Sequence, residues 1–224
     1  MNKRNLLRYA LLTVCISVLF SGCISFRSDI DGAFKAKSVT KKQLPPVSVF
    51  FHFSHLEQQL GYDAVSKIAY PYHSFRDLFG ESIKEFTNIK SFNDFTDEAN
   101  DIVSVRRRKM LDSLKSAYDY TIHLTVKKEN SFAKHFFGYI VSTGTLEVLP
   151  YAYSWDYIIT ADVSNQAGKI IQSYTRRSQL VTWNQALLLF LYPFYTSEIT
   201  TEEIYFESMK DIFRQIENEG VLSM

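Results

Sequence analysis

Tyr120-Thr121-Ile122-His123-Leu124-Thr125-Val126-Lys127 alternates without a break. Ile122, Leu124 and Val126 fall on one side, and His123, Thr125 and Lys127 fall on the other. Side chains of a strand alternate between its two faces, so this period of two predicts a half-buried strand. Downstream, Thr143 to Leu149 reads as another strand, stopped by Pro150. Trp155–Ser164 and Lys169–Trp183 then flank Asn165-Gln166-Ala167-Gly168, a spacing that predicts a hairpin of two long strands. Thr200 and Glu203 suggest a capping box. The helix that follows carries Tyr205, Met209, Ile212, Phe213 and Ile216 on one face and stops near Gly220.

Upstream, Val47-Ser48-Val49-Phe50-Phe51-His52-Phe53 has the β-branched and aromatic character of a core strand. Phe75, Leu78, Phe79, Ile83 and Phe86 recur at helical spacing over 74–86, with Ser74 and Asp77 placed to cap that helix. Residues 88–96 read as a short strand or edge. Residues 97–118 read as a second helix, with Ile102, Val103, Met110, Leu114 and Ala117 on one stripe. Strands grouped together with helices before and after predict an α+β fold. The expected form is an antiparallel-rich sheet of about five strands with two to three helices packed on one face.

The N-terminus has a different composition. Lys3, Arg4 and Arg8 precede an apolar run from Tyr9 to Phe20, and Ser21, Gly22 and Cys23 follow. The run is too short to span a bilayer, which takes about 20 apolar residues, and the layout is that of a signal peptide. Phe20-Ser21-Gly22-Cys23 resembles the lipobox of bacterial lipoproteins, with Phe20 where that motif usually carries Leu. The resemblance implies cleavage after residue 22 and acylation of Cys23, including a palmitate-type chain. It implies a membrane-held protein without a membrane-spanning helix. Ile24 stands where an Asp would resemble an inner-membrane retention signal. The expected location is therefore the outer membrane, facing the periplasm. Three segments follow: signal peptide 1–22, lipidated Cys23 with a flexible polar tether to residue 46, and a single α+β domain over 47–220.

Composition narrows the function. The leader holds three of the 25 Lys and Arg and none of the 24 Asp and Glu, leaving a nearly neutral remainder. No basic face for nucleic acid is expected. Of the two cysteines, Cys15 lies in the leader and Cys23 is the acylation candidate, so no thiol chemistry or disulfide is expected beyond them. No glycine-rich phosphate loop occurs, and no cofactor is expected. No GxSxG elbow and no paired-carboxylate signature is visible, so no catalytic residue is assigned and the chain is read as a non-enzyme. His52 and His55 are weak metal candidates. Residues three apart on a strand face opposite ways, so they converge only if the chain turns at Ser54.

Trp183-Asn184-Gln185-Ala186-Leu187-Leu188-Leu189-Phe190-Leu191-Tyr192-Pro193-Phe194-Tyr195 is too short to span and does not alternate. Its aromatics at both ends suit a membrane interface. Trp183, Leu187, Leu188, Leu189, Phe190, Leu191, Tyr192 and Phe194 are the candidate membrane or partner contacts; the alternatives are core packing and an apolar-ligand pocket. Phe132, Phe136, Phe137, Tyr139, Ile140 and Val141, with Tyr151, Tyr153, Trp155 and Tyr157, make a second aromatic stretch. Together with the Thr145–Tyr151 "TLEVLPY" strand and the 187–193 "LLLFLYP" run, the later part of the chain resembles small envelope lipoproteins of Gram-negative bacteria. That resemblance implies a membrane-associated accessory, scaffolding or assembly role, with an envelope protein as a further partner. A carrier or sensor of an apolar ligand such as a lipid is the alternative; a hydrolase or metalloenzyme is a weaker one.

Overall fold

The computed structural model describes residues 22–35, 44–58, 66–68, 74–98, 105–130, 136, 140, 151–185 and 196–223. The strands are β1 (Gly22–Arg27), β2 (Val47–Gln58), β3 (Ser66–Ile68), β4 (Ile89–Thr96), β5 (Tyr120–Glu129), β6 (Tyr151–Asn165) and β7 (Ile170–Gln185). The helices are α1 (Phe75–Ser82), α2 (Val105–Ser116) and α3 (Ser197–Glu219). The class is α+β, as the sequence predicts. The chain divides into two compact units. The larger includes the described residues of 29–129, 156–178 and 202–223; the smaller includes those of 22–28, 130–155 and 179–201.

In the larger unit β2 pairs with three strands, β3, β4 and β5. β5 lies parallel along one edge of it, with Phe51 opposite Ile122 and His52 opposite His123. β4 lies parallel along the other edge, and β3 pairs antiparallel with the last residues of β2. β6 is antiparallel to β5, and the β6–β7 hairpin completes the order. The antiparallel character expected is thus present from β5 to β7, while the pairings of β2 with β4 and β5 make the sheet mixed.

The two crossovers account for the helix positions. β2-α1-β4 and β4-α2-β5 step across the sheet in opposite directions. Because such connections are right-handed, their helices lie on opposite faces. Phe75 and Phe79 of α1 pack on Phe51 and Phe53, and Phe213 of α3 packs on Phe51, Phe79 and Phe86. The other face of β2 carries Phe50 and His52. There Tyr118, just after α2, lies 5.8 Å from Phe50, and Arg107 of α2 lies over Phe95 of β4. The expectation of helices on one face fails for α2, because a parallel strand pair requires a crossover that sequence periodicity does not reveal.

The core sits between β2, β5, β6, α1 and α3. Val49, Phe51, Phe53, Ile122, Leu124, Val126, Ile159, Val163, Met209, Ile212, Phe213 and Ile216 are buried, matching the alternation of β5 and the apolar face predicted for α3. Burial of each such side chain contributes about 1.5–3 kcal/mol, so α3 is held by packing. α2 departs from its predicted stripe: Met110 and Ala117 are exposed and Leu114 is half-buried. Ile102 and Val103 lie outside the described residues, as does the strand predicted over 143–149.

Both predicted caps also differ. The Ser74 hydroxyl makes no cap and instead donates to Glu202. α3 begins before Thr200, and the hydroxyl of Thr196 accepts the Ile199 amide at its N-terminus. The Thr200 hydroxyl bonds back to the Thr196 carbonyl inside the helix. The stop at Gly220 is where the sequence places it.

The N-terminal residues are the largest departure. Residues 24–35 read as tether, yet β1 pairs antiparallel with residues 180–185 of β7 in the smaller unit. The buried Ser25 and Thr182 hydroxyls bond across that pair at 2.8 Å. In the larger unit, Asp31 bridges Arg177, and the Phe34 amide donates to Asp211 at 2.9 Å. Cross-strand hydrogen bonds stabilise a segment whose polar composition signals a loop. Residues 36–43 lie outside the described set.

Candidate functional site

His52, Ser54, Asp97 and His123 converge on the face of the sheet that carries α2. Each is placed by the backbone. His52 and His123 occupy matched positions of the parallel pair β2–β5, so their rings stack at 4.2 Å with 11° between planes. Ser54 lies two residues on and faces the same way as His52. Asp97 follows the last residue of β4, and its amide donates to the Phe53 carbonyl at 2.9 Å. Three parallel strands thus deliver two imidazoles, a hydroxyl and a carboxylate to one spot.

The bonds define the proton positions. His52 Nε2 lies 2.9 Å from Asp97 Oδ1, the Ser54 hydroxyl bonds Asp97 Oδ2, and His123 Nε2 lies 2.8 Å from Ser54 Oγ. An ionised carboxylate only accepts, and a serine has one proton to donate. Ser54 therefore donates to Asp97 and accepts from His123, and both imidazoles carry hydrogen on Nε2. Burial opposes ionisation of Asp97, but hydrogen bonds from His52 and Ser54 outweigh it and hold its pKa below the usual carboxylate value. Burial, with His52 and Lys115 nearby, pushes His123 down to about 4, against the pull of Asp97 and Asp162. At neutral pH the cluster therefore carries an ionised carboxylate beside a neutral His123.

This is not a Ser-His-Asp triad. In a triad the imidazole lies between acid and hydroxyl and takes the hydroxyl proton. Here the hydroxyl lies between acid and imidazole, and its proton already points at the acid. The arrangement places neither imidazole as a base for Ser54; the group that receives its proton is the Asp97 carboxylate.

His55, the second histidine singled out by sequence, does not join the group. It is 3 % exposed on the opposite face, edge-on to Phe75 at 4.7 Å and stacked over Tyr205 at 5.9 Å. Neither of its ring nitrogens has a hydrogen-bond partner. Burial depresses it to about 4 despite Asp97. The pairing of His52 with His55 as metal candidates is therefore corrected to His52 with His123 and Asp97. Both new members were visible as residues. His123 stood on the polar side of the clearest strand, but its register against His52 was not legible.

The apolar-contact candidates are only partly described. Trp183 lies on β7 opposite Ile24 and is 41 % exposed. Phe26 of β1 and Ile199 of α3, in the same unit, are similarly exposed. Leu187, Leu188, Leu189, Phe190, Leu191, Tyr192 and Phe194 lie outside the described residues. Of the second aromatic stretch, Phe136 and Ile140 are exposed, and the rings of Tyr151 and Tyr153 lie 5.9 Å apart. Cys23 lies in β1 opposite Asn184. Among the described residues, no helix is long and apolar enough to cross a membrane.

No protein-family model matches the chain, and no curated protein matches it. Among solved structures it is similar to the PelC dodecamer from Paraburkholderia phytofirmans. That comparison gives 7 % identity and a TM-score of 0.32, covering 85 % of this chain and 96 % of that one. A methionine variant of the same dodecamer gives 7 % identity and a TM-score of 0.33, covering 84 % and 96 %. Likeness at this level assigns neither activity nor assembly to this chain.

Proposed function

We propose that the chain is a lipid-anchored envelope lipoprotein, acylated at Cys23, with a non-catalytic accessory or scaffolding role at the periplasmic face of the outer membrane. The observation that supports this reading best is the register of β1. Cys23 pairs with Asn184, so the anchor residue lies at the end of the strand pair formed by Asn184 and Gln185, the residues that precede the 186–195 apolar run in sequence. A strand advances about 3.4 Å per residue. Trp183 therefore lies one step from the level of the anchor, where an amphipathic ring suits the headgroup region. Two or more acyl chains hold a protein stably, each buried CH₂ contributing about 0.8 kcal/mol. With β1 starting at the acylated residue, no free linker separates lipid from sheet, and the smaller unit is held against the bilayer. The aromatic-apolar contacts at Trp183 and Leu187 to Phe194 then meet membrane or a membrane-bound partner.

The test is expression of the full chain with labelled palmitate, followed by fractionation. The expected result is label in the wild type and none in Cys23→Ser. An unlabelled wild type refutes the anchor. The contact is tested apart from it: purified Cys23→Ser should float with liposomes, and Leu188→Asp in that background should not. The carrier alternative requires an apolar cavity. The surface cleft of about 570 Å³ next to the β6–β7 hairpin is lined by Asp119, Asn165, Gln166 and Lys169 with Tyr120 and Ile170, a mixed lining that does not favour a lipid.

A further inference from the structure

We infer that His52, Asp97 and His123 form a binding site for a divalent transition-metal ion, with zinc as the chemical class. One ligand atom from each of the three lies within 4.8 Å of the others. Two imidazole nitrogens and one carboxylate oxygen suit zinc, whereas calcium and magnesium favour all-oxygen sets. Zinc bonds such donors at about 2.0–2.2 Å, so the donors close inwards on binding, a movement that side-chain rotation supplies.

The group is preorganised by backbone pairing. The backbone positions of His52 and His123 are set by the β2–β5 register, and that of Asp97 by its amide bond to Phe53, while the stacked rings rotate to meet an ion. Its electrostatics also favour a cation. The Asp97 carboxylate, the acid of the set, is partly buried beside His52. The Ser54 hydroxyl lies among the donors, bonded to both Asp97 and His123. An ion entering there displaces it. Binding at Nε2 moves each imidazole proton to Nδ1, and the buried His52 Nδ1 has no partner. A missing outer-shell acceptor costs about 10–100-fold in affinity, so the ion is exchangeable. The ion would join β2 and β5 to the end of β4, and this inference stands apart from the lipid anchor.

The test uses tag-free full chain in detergent, stripped with EDTA and titrated with cobalt(II) and then zinc. The expected result is a visible cobalt absorption band typical of low coordination number, bleached by zinc, and a rise in melting temperature with zinc. His123→Ala and the near-isosteric Asp97→Asn should each lose at least about 100-fold in affinity. Ser54→Ala should bind as tightly as the wild type or more tightly, because a competing hydroxyl is gone. His55→Leu should bind as the wild type does. A wild type without the cobalt band, or a zinc response equal in wild type and Asp97→Asn, overturns the site.

Discussion

Replacing Asp211 by alanine isolates the interaction that holds Phe34 and Arg176 to α3 within the larger unit. Its carboxylate receives Arg176 Nε at 2.6 Å and the Phe34 amide at 2.9 Å. Arg176 is 3 % exposed, and its remaining donors reach the Thr175 carbonyl and Gln215. Removing the acid leaves a guanidinium buried without a counter-charge. Breaking a buried pair from one side costs about 3–5 kcal/mol. The Asp211 side chain is 16 % exposed, so water reaches the gap and the lower end applies. Loss of the Phe34 bond adds about 1 kcal/mol, giving about 4 kcal/mol in total, a large share of the roughly 5–15 kcal/mol that holds a domain. Equilibrium urea unfolding measures it as a fall in midpoint at constant slope. The decisive comparison is Arg176→Met combined with Asp211→Ala. If the cost is the orphaned charge, the double variant recovers much of the loss. A double variant as unstable as the sum of the singles would refute the reasoning.

Two further outcomes are expected. His55 has a folded pKa of about 4 against an ordinary 6.5. The unfolded chain therefore binds the extra proton first as pH falls. The stability His55 contributes is complete above pH 6.5 and is lost down to about 4, by up to roughly 3 kcal/mol. Urea midpoints in EDTA should fall across that window, to which His123, also depressed to about 4, adds its own share, and His55→Leu should lessen the fall without loss at neutral pH, since it also removes two unbonded ring nitrogens. Gly32 has φ of +80°, and a Cβ there would lie 2.9 Å from the Thr175 carbonyl oxygen. Gly32→Ala should therefore cost at least about 1–3 kcal/mol in thermal unfolding, whereas alanine at Gly80, where a Cβ meets nothing, should not destabilise.

Local pattern carried much of this fold. The alternation in β5, the hairpin around Asn165–Gly168 and the apolar face of α3 are each written in adjacent residues, and the structure follows them. Long-range pairing was not written that way. β1 is a strand because residues 180–185 complete its hydrogen bonds, and Ser25 is buried because Thr182 faces it. α2 lies apart from α1 because β4 and β5 flank β2, which the periodicity of α2 cannot express. The candidate site failed for the same reason. His52 and His123 are far apart in sequence, and only the register of β2 on β5 brings their rings into contact.

The three pairings of β2 also govern the order in which the chain can fold. The one with β5 joins residues 71 apart, as Ser48 with Asp119 marks at the start of both strands. Closing so long a loop precedes any gain from the contacts it allows. A chain emerging N-terminus first therefore carries Val47-Ser48-Val49-Phe50-Phe51-His52-Phe53 with one edge bare until β5 is present, and with Phe51 incompletely covered until α3 arrives. Such a segment is β-prone, apolar and free of proline and formal charge. The strand that organises the finished sheet is thus left open to self-association during synthesis, and it is where a holding chaperone would act.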